Sequence, residues 1–192
     1  MILIFLTKVT NLSLFLPDKY SNPMALNTPL INELKAEAIS TRKMLSRVPF
    51  DKKDWAPHEK STTIFNLARH VARIPEWINR ALEYDEVDAA TKQWPPYPEL
   101  NSAEELTAYF DGIIKNAEEA LQAATDEDLK KNFVFRRGDF IIFSMPKDEM
   151  ITRMAFNHHI HHRGQLSVYL RLLDIPVPGM YGPSADEQRP AA

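Results

Sequence analysis

The 192-residue sequence predicts an all-α fold, a single four-helix bundle, with a small β-hairpin between the third and fourth helices. Three observations predict it. Apolar residues recur at helical spacing in four long windows, glycine is scarce at 5 residues, and prolines cluster in the connections between windows. One domain of this length can bury a sizeable core.

Residues 1–23 stand apart from the rest. Met1 to Leu16 is apolar and includes Lys8, but the charge is misplaced for a signal sequence and no small-residue cleavage site precedes Pro17. The run is also too short and interrupted to span a bilayer. It reads as an extension upstream of a start at Met24, leaving residues 24–192 as the single bundle domain with a C-terminal tail.

Thr28-Pro29 reads as N-cap and first-turn proline of a helix running to about Arg47, with Leu30, Ile31, Leu34, Ala38, Thr41 and Leu45 inward. A polar connection carrying Trp55 and His58 follows Pro49. Ser61 is the expected cap of a second helix to about Tyr84, with Leu67, Ile74, Trp77 and Ala81 on its core face and His70 in the middle of that face. Pro75 removes the amide that would serve the Val71 carbonyl, so a bend is expected just past His70.

Trp94-Pro-Pro-Tyr-Pro98 excludes helix interior, and the connection is long enough to cross one end of the bundle. Ser102 and Glu105 form a capping box for the third helix, whose stripe is Leu106, Phe110, Ile113, Ala117, Ala120 and Leu121. Phe133 to Phe143 holds two aromatic and β-branched runs around Arg137-Gly-Asp139 and reads as the hairpin, the tripeptide being turn chemistry rather than an adhesion motif. Ser144 is the expected cap of the fourth helix, from about Pro146 to Leu173, which Asp174, Pro176 and Pro178 end.

Composition excludes several functions. A net charge of -3 without a basic run gives no footprint for nucleic acid. No apolar segment can anchor the chain in a membrane, and a cytoplasmic location is expected. With no cysteine, disulfides, thiolate metal sites and a cysteine nucleophile are out. A bound metal must use histidine, carboxylate or water, which favours zinc, nickel, iron or manganese. His58-Glu59 lacks the second histidine of a zinc-protease motif, and no phosphate loop, nucleophile elbow or dinucleotide fingerprint occurs.

Four of the six histidines lie at 158, 159, 161 and 162. On a helix advancing about 100° per residue, His158 and His162 share one face, which also takes Ile151, Ala155, Gln165, Tyr169 and Leu172. An i,i+4 pair can reach one ion, and His70 supplies a third nitrogen from another helix. Three neutral imidazoles leave a position open for water or substrate, the arrangement of catalytic metals. His70, His158 and His162 are therefore the expected metal ligands. His159 and His161 are expected at the rim, with His161 as substitute ligand. Gln165 can orient a ligand, hold a metal-bound water or satisfy a helix carbonyl, and Tyr169 is a core residue or a neighbour of the site. Arg163 and Arg171 are expected to face solvent or an interface.

Leu67-Ala-Arg-His70-Val, His158-His-Ile-His-His162-Arg-Gly-Gln-Leu-Ser-Val-Tyr-Leu-Arg-Leu-Leu and Pro176-Val-Pro-Gly-Met-Tyr-Gly-Pro-Ser-Ala-Asp-Glu187 resemble the DinB/YfiT-like family of metal-binding four-helix bundles. The resemblance spans about Met24 to Glu187. It implies an up-down-down-up topology, in keeping with the proline-rich crossover, a three-histidine site at His70, His158 and His162, and a homodimer. Characterised members of the family it resembles include thiol-dependent transferases and isomerases, and the expectation for this chain is a metal-dependent enzyme acting on a small molecule: a hydrolase, or a thiol S-transferase using a low-molecular-weight thiol. Bound metal would lower the pKa of a water for hydrolysis, or activate an incoming thiolate for transfer. No catalytic acid or base stands out, Glu37 and Gln165 being only neighbours. The alternative is a non-catalytic bundle with structural metal, regulatory metal or none.

Overall fold

The computed structural model describes residues 24–187. The apolar segment at 1–23, expected as an extension, lies outside the described residues.

The first helix, α1, spans Asn27–Leu45. Thr28 is not its cap: it sits within the first turn, and no side chain caps the preceding Leu26. Tertiary bonds hold this end instead. The Leu26 amide donates to Asp126 Oδ1 at 2.8 Å, and Asn27 Nδ2 donates to the Leu121 and Ala124 carbonyls at 3.1 and 3.2 Å. Leu34, Thr41 and Leu45 are buried as the spacing predicts, and Glu37 is buried with them.

The expected second helix is two. α2, Ile64–Arg73, starts later than Ser61 because Thr63 accepts the Asn66 amide at 3.2 Å. α3, Glu76–Glu83, follows Ile74-Pro75. With no proline amide to serve Val71, the ladder is interrupted one residue past α2, and the next bonds are short-range: Trp77 to the Ile74 carbonyl and Ile78 to the Pro75 carbonyl, both 3.0 Å.

Strand β1, Glu86–Asp88, lies in the connection expected to be irregular. α4, Ala103–Ala123, begins at Ser102, which accepts the Glu105 amide at 3.2 Å. The Glu105 carboxylate reaches the Asn101 amide at 2.7 Å rather than that of Ser102, so the expected box is offset by one residue. α5, Asp126–Lys130, was not expected; Thr125 and Asp128 cap it reciprocally. The hairpin is present as β2, Asn132–Arg137, and β3, Phe140–Pro146, turning at Gly138 with φ +59°. It is part of a three-stranded sheet, because β1 pairs parallel with the outer side of β2.

The last helical run comprises α6, Lys147–Met150, a π-helical stretch, Ile151–Asn157, and α7, His158–Leu172. Ser144 belongs to β3 and does not cap it; Pro146 precedes the first turn. Asp174, at φ +57°, ends the run with the prolines beyond.

The π-helical stretch changes which face of α7 is inward. Its i→i+5 bonds add a residue to a turn, which rotates the helix beyond it by about 100° relative to a uniform α-helix. The buried positions of α7 are accordingly His159, Arg163, Leu166 and Leu170, each one residue after the stripe expected at 158, 162, 165 and 169. This overturns the rim position for His159 and the solvent position for Arg163, both of which are 2% exposed.

Two buried clusters make the core. Leu34, Ile78, Leu121, Phe133, Ile151 and Phe156 pack at the sheet end, and Met44, Leu67, Val71, Phe110, Leu166 and Leu170 at the other. α1 lies along α4, and α2 contacts both α4 and α7. Each large apolar side chain buried here contributes about 1.5–3 kcal/mol. The second cluster fixes α2 against α7, and that contact positions the histidines.

Candidate metal centre

On α2, Leu67, Ala68 and Val71 are fully buried, which leaves His70 half-buried at the edge of the packed face. On α7, burial of His159, Arg163 and Leu166 leaves His158 and His162 one step around the helix, also half-buried. The two edges face one another. Each of His70, His158 and His162 offers a ring nitrogen lying within 4.8 Å of the others. The Nε2 atoms of His70 and His158 are 3.4 Å apart, and the His162 ring centre is 4.6 Å from that of His70 and 4.5 Å from that of His158.

These separations fit an ion. With Zn–N bonds of about 2.0–2.1 Å, tetrahedral ligands sit about 3.3 Å from one another. The His70–His158 spacing is already at that value, so two lone pairs can converge without moving the helices. Gln165 Oε1 lies 2.7 Å from His162 Nδ1. An amide oxygen only accepts, so Nδ1 carries the proton and the lone pair is left on Nε2.

The electrostatics favour the same protonation state. Burial pushes the His70 pKa down to about 4, with His162 and His158 adding repulsion. Burial lowers His158, with His162 and His161 contributing. Burial lowers His162 as well, partly offset by its bond to Gln165. Neutral imidazoles are the form a metal binds.

The other sequence candidates are scattered. His161 is exposed, its ring 4.9 Å from that of His162, and it is outside the group of three. Tyr169 packs edge-on against Trp55 at 5.7 Å between ring centres. His58 accepts the Lys60 amide in its loop. Glu37 is committed elsewhere: its carboxylate pairs with Arg163 at 2.5 Å and accepts the Tyr181 hydroxyl at 2.8 Å. Arg163 also donates to Thr41 Oγ1 at 3.0 Å and to the Tyr181 oxygen at 2.7 Å. The cluster ties α7 to α1 and to the tail. His159 is buried beside it, its pKa pushed down to about 3 by burial and then by Arg163. Its Nε2 has no hydrogen-bond partner among the described residues.

Two cavities open on the histidines. One of 350 Å³ reaches His70 and His158 past Arg73, Arg80, Trp77 and Trp94. The other, of 430 Å³, reaches His70 and His162 past Asn66, Arg69 and Gln165. Tyr97, in the proline-rich crossover, lines both. The sequence placed that segment across one end of the helices but gave no sign that its aromatic residues wall the approach to His70. A larger 540 Å³ cavity adjoins through Arg80 and Trp94 and contains none of the histidines.

Solved proteins share this fold. A solved DinB-like protein from Bacillus cereus ATCC 10987 superposes with a TM-score of 0.61 at 27% identity, covering 79% of this chain and 95% of that one. The DinB-like protein YjoA of Bacillus subtilis superposes at 0.60 with 17% identity over 84% and 99%, a likeness of fold alone. The uncharacterized protein YrdA of Bacillus subtilis (strain 168) is 32% identical over 92 residues, 47% of this chain; the chain matches about half of that relative's length, 52%. Residues 24–190 match the DinB family along almost the whole domain, and the chain belongs to that family.

Proposed function

We propose that this chain binds a divalent metal through His70, His158 and His162 and is a metal-dependent enzyme acting on a small molecule, as a hydrolase or a thiol S-transferase. The observation that carries the reading is the convergence of three half-buried, neutral imidazoles from α2 and α7, two of them with Nε2 atoms 3.4 Å apart. The helices, on this reading, form the up-down-down-up bundle, with the crossover through Trp94 and Tyr97 closing one end over the site.

A bound ion would supply Lewis acidity toward water or a thiol. The chain's own contribution is placement. Gln165 fixes the tautomer of His162, partial burial keeps all three rings unprotonated, and the packed α2–α7 contact holds their spacing. Catalysis is favoured over a purely structural ion by access: two cavities of 350 and 430 Å³ meet at His70, where a structural site would be enclosed.

The test is activity of zinc-, nickel-, iron- and manganese-loaded protein toward thiol-conjugation substrates and toward ester and amide substrates, beside a His158→Ala variant. Turnover in either class that His158→Ala abolishes supports the reading and selects the chemistry. Metal-loaded protein inert toward both panels would favour the non-catalytic bundle.

A further inference from the structure

Resting on the metal-site reading above, we infer that the 350 Å³ cavity beside His70 and His158 takes a small molecule bearing a carboxylate, held by the guanidinium groups of Arg73 and Arg80 while its reactive end faces the histidines.

The charge balance of the cavity carries this. Arg73 and Arg80 both line it, and each has only 11% of its side chain exposed. Two largely desolvated cations share one carboxylate oxygen: Glu76 Oε2 accepts Arg73 Nε at 2.9 Å and Arg80 Nη2 at 2.6 Å. No acidic side chain lines the cavity itself, so the walls carry an excess of positive charge. Among the described residues, neither Nη of Arg73 has a hydrogen-bond acceptor, and Arg80 Nε and Nη1 have none either. None of these nitrogens is sealed from solvent, so they stay open to a ligand, and a planar carboxylate matches the fork of a guanidinium.

The groups are also held ready. The Arg73 guanidinium carbon lies 4.7 Å from the Tyr97 ring centre, and that of Arg80 lies 3.9 Å from the Trp94 ring and 4.9 Å from the Trp77 ring. Stacking fixes the planes and leaves the edges to hydrogen-bond. Trp77 and Trp94 add apolar wall for the body of the ligand. Arg73 is three residues beyond His70, about 4.5 Å along the axis, so a compact molecule can span from cation to histidines.

The test follows tryptophan fluorescence of the full chain during titration with 3-phenylpropionate and with its neutral amide, with and without zinc. Zinc binding itself is measured separately by calorimetry. A charge-assisted pair predicts that the acid binds about tenfold more tightly than the amide. The preference should persist in zinc-free protein and in His158→Ala, and fall below about threefold in Arg80→Gln. Glu76→Gln, which removes the competing carboxylate, should tighten the acid and leave the amide unchanged. This gain identifies the guanidiniums even where Arg80→Gln does not fold. Equal affinity for acid and amide in the wild type would overturn the inference. So would a preference that needs zinc and survives Arg80→Gln, which puts the carboxylate on the ion, or an acid affinity that Glu76→Gln leaves unchanged or weakens. Zinc failing to bind while the acid preference stands would sink the metal reading alone.

Discussion

Replacing Arg163 by Met tests the account of how α7 is oriented. Arg163 and Glu37 have 3% and 6% of their side chains exposed and pair at 2.5 Å, with Thr41 and Tyr181 completing the network. Methionine fills most of the volume but leaves the buried Glu37 carboxyl without its cation. Removing one member of a buried pair costs about 3–5 kcal/mol. At about 2–4 °C per kcal/mol for a domain of this size, the melting temperature should fall by about 10 °C. Tyr181 as a residue is 72% exposed, so its hydroxyl can turn to water and adds little to the loss. The double variant Glu37→Met/Arg163→Met removes both charges and should recover to within about 1–2 kcal/mol of wild type. Urea unfolding of the four proteins of the cycle reads both quantities. A single variant costing less than about 1 kcal/mol would mean that Arg163 is solvated and that the inward face of α7 is not 159, 163, 166 and 170.

Other consequences are as direct. Metal-free protein should lose stability as pH falls below about 6.5, because unfolded histidines take up protons that buried ones refuse; His159, held down to about 3, alone contributes about 2 kcal/mol between pH 8 and pH 5. A denaturation midpoint unchanged between those pH values would contradict its burial as a neutral ring. Gln165→Ala should weaken metal affinity by about tenfold by releasing the Nδ1 proton of His162, with little change in unfolding, as competition with a chelating dye would show. Gly138→Ala should cost about 1–2 kcal/mol in unfolding, since the turn requires φ +59°, and should leave metal binding untouched.

Much of the fold could be read from the chain. Helical periodicity located α1, α4 and the last helical run, and Arg137-Gly-Asp139 located the hairpin turn. Pro75 marked the break between α2 and α3 because a missing amide is a local property. The three histidines were legible for a related reason, since i,i+4 spacing survives any rotation of α7 as a whole. What that rotation changed was the neighbours. The π-helical stretch carries no composition signal, so a straight projection put Arg163 in solvent and His159 at the rim. Glu37 could have corrected it: a carboxylate between Leu34 and Thr41 on an apolar stripe calls for a buried cation. The strand β1, three residues long, gains its partners only through tertiary pairing with β2 and has no period of its own. The placement of Trp94 and Tyr97 over the arginines likewise depends on where the crossover lands.

The most direct test of the central claim is the metal stoichiometry of untagged protein, measured after incubation with zinc, nickel, iron and manganese in turn, for wild type and for His70→Ala, His158→Ala and His162→Ala. The arrangement predicts one ion per chain in the wild type for at least one of these metals. It predicts loss of that ion, or an affinity at least about tenfold lower, in all three variants. Wild-type protein that takes up none of the four, or variants that bind as well as wild type, would contradict it.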